Sequence, residues 1–222
     1  MGFVKPVVLF GAGELARLVH AYLTAEGRPP VACTVDGEYA HAAQLADLPV
    51  VAWDDLPARF GPADVDVLVA IGYRRGNHAR AEAFARVADA GYAHGLYVHP
   101  SAVVANDVAL GPNTIVLERV VVQPFVTLGA DVVIWSSATI SHDSTIGDHC
   151  FLAPEAAVSG NVNIGAFSFI GLNATIRDGV TIGEGCIVGA GAIVKTDTLP
   201  GEVYPAASTP KGSKSASEYD NL

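Results

Sequence analysis

His142 and Asp143 are the adjacent pair in this sequence best suited to chemistry. An imidazole titrates near neutral pH, and a carboxylate bonded to one ring nitrogen sets the tautomer and leaves the other nitrogen to take a proton. Such a pair can act as a general base toward an amine or a hydroxyl. His149 lies in the same segment, Ile140-Ser141-His142-Asp143-Ser144-Thr145-Ile146-Gly147-Asp148-His149. A lone exposed histidine is more often plain solvated surface, so it is the neighbouring acid that favours the chemical reading.

A second set of residues stands near the start of the chain. Val7-Val8-Leu9-Phe10 runs into Gly11-Ala12-Gly13-Glu14-Leu15-Ala16, a helical pattern follows through Leu23 to Gly27, and the apolar run Val31 to Val35 closes on Asp36. Strand, glycine turn, helix and strand place bare amides of Gly11 and Gly13 where a phosphate docks, with Asp36 placed to meet a ribose hydroxyl. The GxGxxA turn alone reads equally well as tight helix-on-strand packing. A further strand, Val65 to Ile71, ends at Gly72 and is followed by Tyr73-Arg74-Arg75-Gly76-Asn77-His78-Ala79-Arg80. In a parallel sheet Gly72, Arg74 and Arg80 face the same crevice. Fewer than a hundred residues carry this unit, which suits a nucleotide-linked ligand better than NAD.

The elements that must position these groups are set by a strict period. From Val98 to Val194 every sixth residue is Val, Leu or Ile, through Val104, Leu110, Val116, Val122, Leu128, Ile134, Ile140, Ile146, Leu152, Val158, Ile164, Ile170, Ile176, Ile182 and Val188. Two residues before most of these sits a small or β-branched side chain, among them Cys150 and Cys186, and glycine recurs at Gly111, Gly129, Gly147, Gly165 and Gly183. Three hexads make one coil of a parallel solenoid, with aliphatics stacked inside and glycine supplying unusual backbone angles at corners. The expected architecture is an α/β N-terminal domain with a small Rossmann-like parallel sheet over residues 1–96. A β-helix of hexapeptide repeats over 97–205 and a polar tail over 206–222 follow.

Composition narrows the partners. A formal net charge of −10 with 13 Lys and Arg argues against nucleic acid or an anionic membrane surface. No apolar run approaches spanning length and no leader-like segment opens the chain, so a cytoplasmic protein without membrane insertion is expected. Three cysteines, two of them at inward sites, read as buried thiols.

The domain order, the hexad period and His142-Asp143 ahead of Ser144-Thr145-Ile146-Gly147-Asp148 resemble the NeuD/PglD/PerB-type sugar acyltransferases over nearly the whole chain. The resemblance implies a left-handed β-helix, a homotrimer with acetyl-CoA in grooves between neighbouring β-helices, and a nucleotide-linked sugar on the N-terminal domain. It implies acetyl transfer to an amine or hydroxyl in surface-glycan synthesis, with no metal, His142 as general base and Asp143 as its orienting acid. Gly160, in Val158-Ser159-Gly160-Asn161-Val162, matches the glycine near the thioester, and Gly171-Leu172 and Gly189-Ala190 match the pantetheine groove.

Departures from the family pattern fall on the acceptor side. Glu14-Leu15-Ala16 replaces Gly-His-Gly after Gly13, Trp135 stands where related enzymes carry Asn, and Phe151 stands where they carry a second histidine, with His149 a nearby substitute. The closing signature has become Ala206-Ala207-Ser208-Thr209-Pro210-Lys211. Trp135 is expected to stack on a sugar or base, or else to pack between subunits. Two rival readings remain. One is a trimeric scaffold that has lost catalysis. The other is a zinc-dependent carbonic-anhydrase-like enzyme, for which the repeat lacks a third histidine near His142 and His149.

Overall fold

The computed structural model describes residues 5–41, 45–208 and 210–211; Thr209 and most of the expected polar tail, residues 212–222, lie outside the described residues. The chain opens with β1 (Val7–Phe10), α1 (Glu14–Ala25), β2 (Ala32–Val35), α2 (Gly37–Ala40) and β3 (Val50–Ala52). A 3₁₀ turn (Trp53–Asp55), α3 (Leu56–Arg59), β4 (Asp66–Val69), α4 (His78–Asp89) and β5 (Ala93–His94) complete the first unit. The strands β1, β2 and β4 are four-residue apolar-rich runs buried on both faces, as a parallel sheet covered by helices demands. Their order, β3-β2-β1-β4-β5, puts β1 beside both β2 and β4. The strand order reverses at β1, so the crevice for a ligand opens at the carboxyl ends of β1 and β4.

From β6 (Tyr97–Val98) to β23 (Val203–Tyr204) the chain winds as a left-handed parallel β-helix of two-residue strands. Its three faces contain seven, six and five strands, and every paired residue within the repeat from Tyr97 to Val194 lies eighteen positions from its partner, as Val121 with Thr139 and Thr139 with Ala157. The aliphatic column from Val116 to Val194 is buried throughout, and Val98, Val104 and Leu110 in the opening coils are half-buried. At about 1.5–3 kcal/mol per fully buried aliphatic, this column and its small inward companions form the main core. Cys150 and Cys186 are free thiols inside it, and burial pushes the Cys150 thiol up to about 12.

The glycines at the coil corners serve another purpose than the sequence suggests. Gly111, Gly129, Gly147, Gly165 and Gly183 do not have positive φ; a Cβ on Gly147 would come 2.7 Å from the Ala166 nitrogen of the next coil. Close stacking of coils excludes a side chain there. The left-handed corner positions are taken instead by residues such as Asn113 (φ 58°), Asp131 (φ 57°), His149 (φ 59°) and Phe167 (φ 61°).

The first unit packs on one face of the β-helix, the seven-stranded face that includes Ile115, Val133, Phe151 and Phe169. Leu9, Leu15, Val19 and Leu23 share a single apolar cluster with Tyr97, Ile115, Leu117, Val133 and Phe151. This docked face continues around a corner at 135–138 to a second face, then around a corner at 141–144 to a third, which returns to the docked face at 147–150. Among the described residues no helix is long and apolar enough to cross a membrane.

Candidate functional site

His142 stands in the turn between the second and third faces, where neither ring edge enters the apolar column. Its Nδ1 lies 2.8 Å from Asp143 Oδ2, and its backbone N–H donates to Gln123 Oε1 at 3.0 Å. Asp143 reaches the ring from a left-handed corner residue (φ 56°), and both side chains are about half exposed. One coil further on, Gly160 leaves space for the imidazole: a Cβ there would come 2.6 Å from His142 Cε1 and 2.7 Å from Nε2. The free Nε2 therefore lies against bare backbone. With Nδ1 committed to a carboxylate, Nε2 is the atom able to accept a proton.

A crevice of about 1050 Å³ opens at the carboxyl ends of β1 and β4. Gly11, Gly13, Asp36, Gly72 and Arg74 all line it. Gly11 adopts φ 125°, and a Cβ there would press to 2.9 Å on the Ala70 carbonyl oxygen, so the turn at β1 requires glycine. Asp36 is held by a residue absent from the sequence reading: Arg86 Nη1 bonds Asp36 Oδ1 at 2.6 Å, and the Arg86 Cζ lies 5.4 Å from the ring centres of Phe10 and Trp53. The far wall comes from the β-helix. Trp135 and Phe151 line the crevice, Tyr73 packs 5.1 Å from Phe151 and 4.9 Å from Phe169, and Phe151 stacks on Phe169 at 5.5 Å. An aromatic wall thus faces a glycine turn and a rim of mixed charge, where Arg75 pairs with Glu82, Arg86 pairs with Asp36, and Arg74 stands beside the bare turn as the cation offered to a phosphate.

Arg80 does not face that crevice, contrary to the sequence expectation. Its guanidinium is fully buried between α4 and the β-helix, where Nε bonds Asp131 Oδ2 at 3.0 Å and Nη2 bonds the His149 carbonyl at 2.8 Å. Residue 80 falls on the face of α4 turned toward the coils, and desolvation there lowers its pKa against the upward pull of Asp131. The sequence reading also missed Asp131 and Asn113, both fully buried. Their signal in the sequence is a polar side chain recurring at one corner, eighteen residues apart.

His149 occupies that same corner rather than the neighbourhood of His142. Its Nδ1 bonds Asp131 Oδ2 at 2.8 Å, and its ring packs against Phe84 and Phe167, so it belongs to the interface between the two units. The expected cofactor residues divide between two edges. Gly160 adjoins His142, whereas Gly171, Leu172, Gly189 and Ala190 lie above Trp135 on the corner between docked and second faces. A Cβ on Gly171 would meet the Val188 oxygen at 2.6 Å, so coil stacking alone already demands that glycine. Leu172 is half exposed on the same edge. Among the described residues no cluster of three His, Cys, Asp or Glu is placed to hold a metal ion.

His94, at the end of β5, stacks on Phe84 with centroids 3.9 Å apart, and neither ring nitrogen has a hydrogen-bond partner among the described residues. Burial holds its pKa below the ordinary histidine value, against the weaker upward pull of Asp131. The neutral ring costs nothing above about pH 6.5, where the unfolded chain is also neutral. Below that, the unfolded chain takes up a proton that the native state resists, so stability falls with pH by at most about 1.4 kcal/mol per unit. His94→Phe is expected to remove this part of the slope. Urea midpoints for both proteins between about pH 7.5 and 5 check it, and parallel curves would contradict it.

Residues 161–196 match the bacterial transferase hexapeptide family (six repeats). Among solved structures, a histidine-to-asparagine mutant of perosamine N-acetyltransferase from Caulobacter crescentus, in complex with CoA and GDP-perosamine, is 30% identical. That alignment covers 92% of this chain and 95% of that one, with a TM-score of 0.83. The acetyltransferase domain of PglB from Neisseria gonorrhoeae, in complex with acetyl coenzyme A, is 27% identical over 90% of this chain and 96% of its own, with a TM-score of 0.81. WeeI from Acinetobacter baumannii shares the fold at 22% identity, covering 91% of this chain and 94% of its own, with a TM-score of 0.65. No curated protein matches the sequence.

Proposed function

Because the chain belongs to the NeuD/PglD/PerB-type family of sugar acyltransferases, we propose that it moves an acetyl group from acetyl-CoA to an amine or hydroxyl of a nucleotide-linked sugar, with His142 as general base. It is a CoA-dependent acetyltransferase of sugars. The observation that carries the finer reading is the imidazole fixed by Asp143 at 2.8 Å, with Nε2 laid against the bare backbone of Gly160. A side chain at residue 160 would collide with the ring itself, so glycine there lets the imidazole keep its place beside Asp143.

The thioester supplies an activated acyl carbon. The acceptor nitrogen or oxygen attacks that carbon, its proton passes to His142 Nε2, and Asp143 balances the imidazolium through Nδ1–H. The carbon–sulfur bond then breaks, and the departing thiolate takes the proton from Nε2. A positioned base of this kind contributes roughly 10²–10⁴-fold.

The acceptor's nucleotide is assigned to the crevice, with phosphates at Gly11, Gly13 and Arg74, and its sugar against Trp135, Phe151 and Tyr73. His142 is not among the residues lining that crevice, because it sits one corner further around the coil. Gly171, Leu172, Gly189 and Ala190 share the crevice corner. A site that joins both edges therefore needs a second copy whose His142 corner faces the first copy's crevice corner. This supports a homotrimer with acetyl-CoA between neighbouring β-helices. Titration calorimetry with acetyl-CoA, followed by thiol release with UDP-, GDP- and dTDP-linked amino sugars, tests the proposal. Saturable acetyl-CoA uptake and release of CoA by at least one acceptor are expected; no saturable site would refute it.

A further inference from the structure

We propose that the corner ladder Asn113, Asp131, His149 and Phe167 is a positioning device that holds the crevice loop, residues 70–76, between two fixed points on the β-helix. Val69, the last residue of β4, is tied to the ladder as though to another strand: its N–H donates to Asn113 Oδ1 at 2.7 Å, and its carbonyl accepts from Asn113 Nδ2 at 3.1 Å. The same Nδ2 donates to Asp131 Oδ1 at 2.7 Å. At the other end, Asn77 precedes the first turn of α4 in a left-handed conformation (φ 69°), is fully buried, and donates through Nδ2 to the Phe167 carbonyl at 3.2 Å. Arg80, one turn on, locks that end to Asp131 and to the His149 carbonyl.

Asn113 and Phe167 are the same corner position three coils apart, a rise of roughly 14 Å at strand spacing. The eight-residue stretch from Asn77 back to Ala70 must bridge that rise, and Ile71, Gly72, Tyr73, Arg74 and Arg75 from within it line the crevice. Within the loop Tyr73 also packs on Phe151 and Phe169 and Arg75 pairs with Glu82, and the two anchored ends set where along the β-helix those contacts form. The ladder thereby sets the height of the loop's cationic and aromatic groups along the β-helix axis. Asn113, Asn77 and Arg80 act through the loop and touch no ligand.

This inference rests on the crevice being the nucleotide site, but its first readout does not. Asn77→Gly keeps the left-handed backbone and removes the amide; Asn113→Gly frees the other end. Hydrogen exchange at the bonded amides flanking the loop, Ala70 in Asn113→Gly and His78, Arg80 and Ala81 in Asn77→Gly, should rise at least tenfold, with the rest of the sheet and the coils unchanged. Affinity for UDP, GDP or dTDP, whichever the parent protein binds, should fall about 5–50-fold, while acetyl-CoA affinity stays within about twofold. Unchanged exchange in a folded variant overturns the proposal. So does a rise spread over the whole molecule, or an equal loss of both ligands. If the parent protein binds none of the three nucleotides, the crevice assignment fails and the exchange result alone decides the positioning role. Should one variant not fold, the other tests its own anchor.

Discussion

His142→Ala is expected to lower acetyl transfer by about 10²–10⁴-fold while acetyl-CoA affinity and folding stability remain close to those of the parent. The imidazole is about half exposed and lies outside the apolar column. Its loss opens no core cavity, and a surface change of this kind falls within about 0.5 kcal/mol. The fall should therefore appear in turnover and not in the melting curve. Thiol release under saturating acetyl-CoA, paired with calorimetry on the same preparation, separates the two. Asp143→Asn should cost less, since it removes the balancing charge and leaves the base. Turnover unchanged in His142→Ala would exclude this ring from the proton step, and equal loss of acetyl-CoA binding would make it a binding residue instead.

A second large effect is expected at a distance from the reacting atoms. Asp131→Ala leaves the fully buried guanidinium of Arg80 without its counter-charge and strips partners from Asn113 Nδ2 and His149 Nδ1. Breaking a buried pair on one side costs about 3–5 kcal/mol, which for a chain of this size lowers Tm by roughly 10 °C. The double variant Arg80→Met, Asp131→Asn should recover at least half of that, because no charge is left buried and asparagine keeps both the left-handed corner (φ 57°) and an acceptor for Asn113 Nδ2. Differential scanning calorimetry of the three proteins tests both statements. A single variant as stable as the parent would mean that the interface relaxes to let water reach Arg80.

The hexad period was legible because it is a local rule repeated many times: each inward position sees the same neighbours one coil above and below, so one residue type serves all of them. His142 was legible for a related reason. It breaks the rule at an outward corner and carries an acid beside it. Arg80 was misread because a basic residue near a strand end resembles a phosphate ligand, while its orientation is decided by the α4 helical phase against coils fifty residues later. The corner glycines were read for backbone angle, yet coil contact decides them; close approach between coils is a tertiary fact that no single hexad contains. Asn113 and Asp131 were invisible as interface residues for the same reason, since corners accept many polar side chains and the partner that makes these two matter lies on another unit.

The eighteen-residue pairing has an implication for how such a molecule can change over time. Insertion of one whole turn between Asn113 and His142 would preserve every inward side chain, yet it would move the imidazole away from the docked unit by one strand spacing, about 4.8 Å. Reacting atoms must meet at about 3–3.5 Å, so a single added turn overshoots any tolerable adjustment. The solenoid can lengthen freely only beyond the groove residues that end at Ala190, while the span between anchor and base is held to a fixed count. Fine tuning of reach is left to loops and aromatic side chains, which can shift by fractions of an ångström.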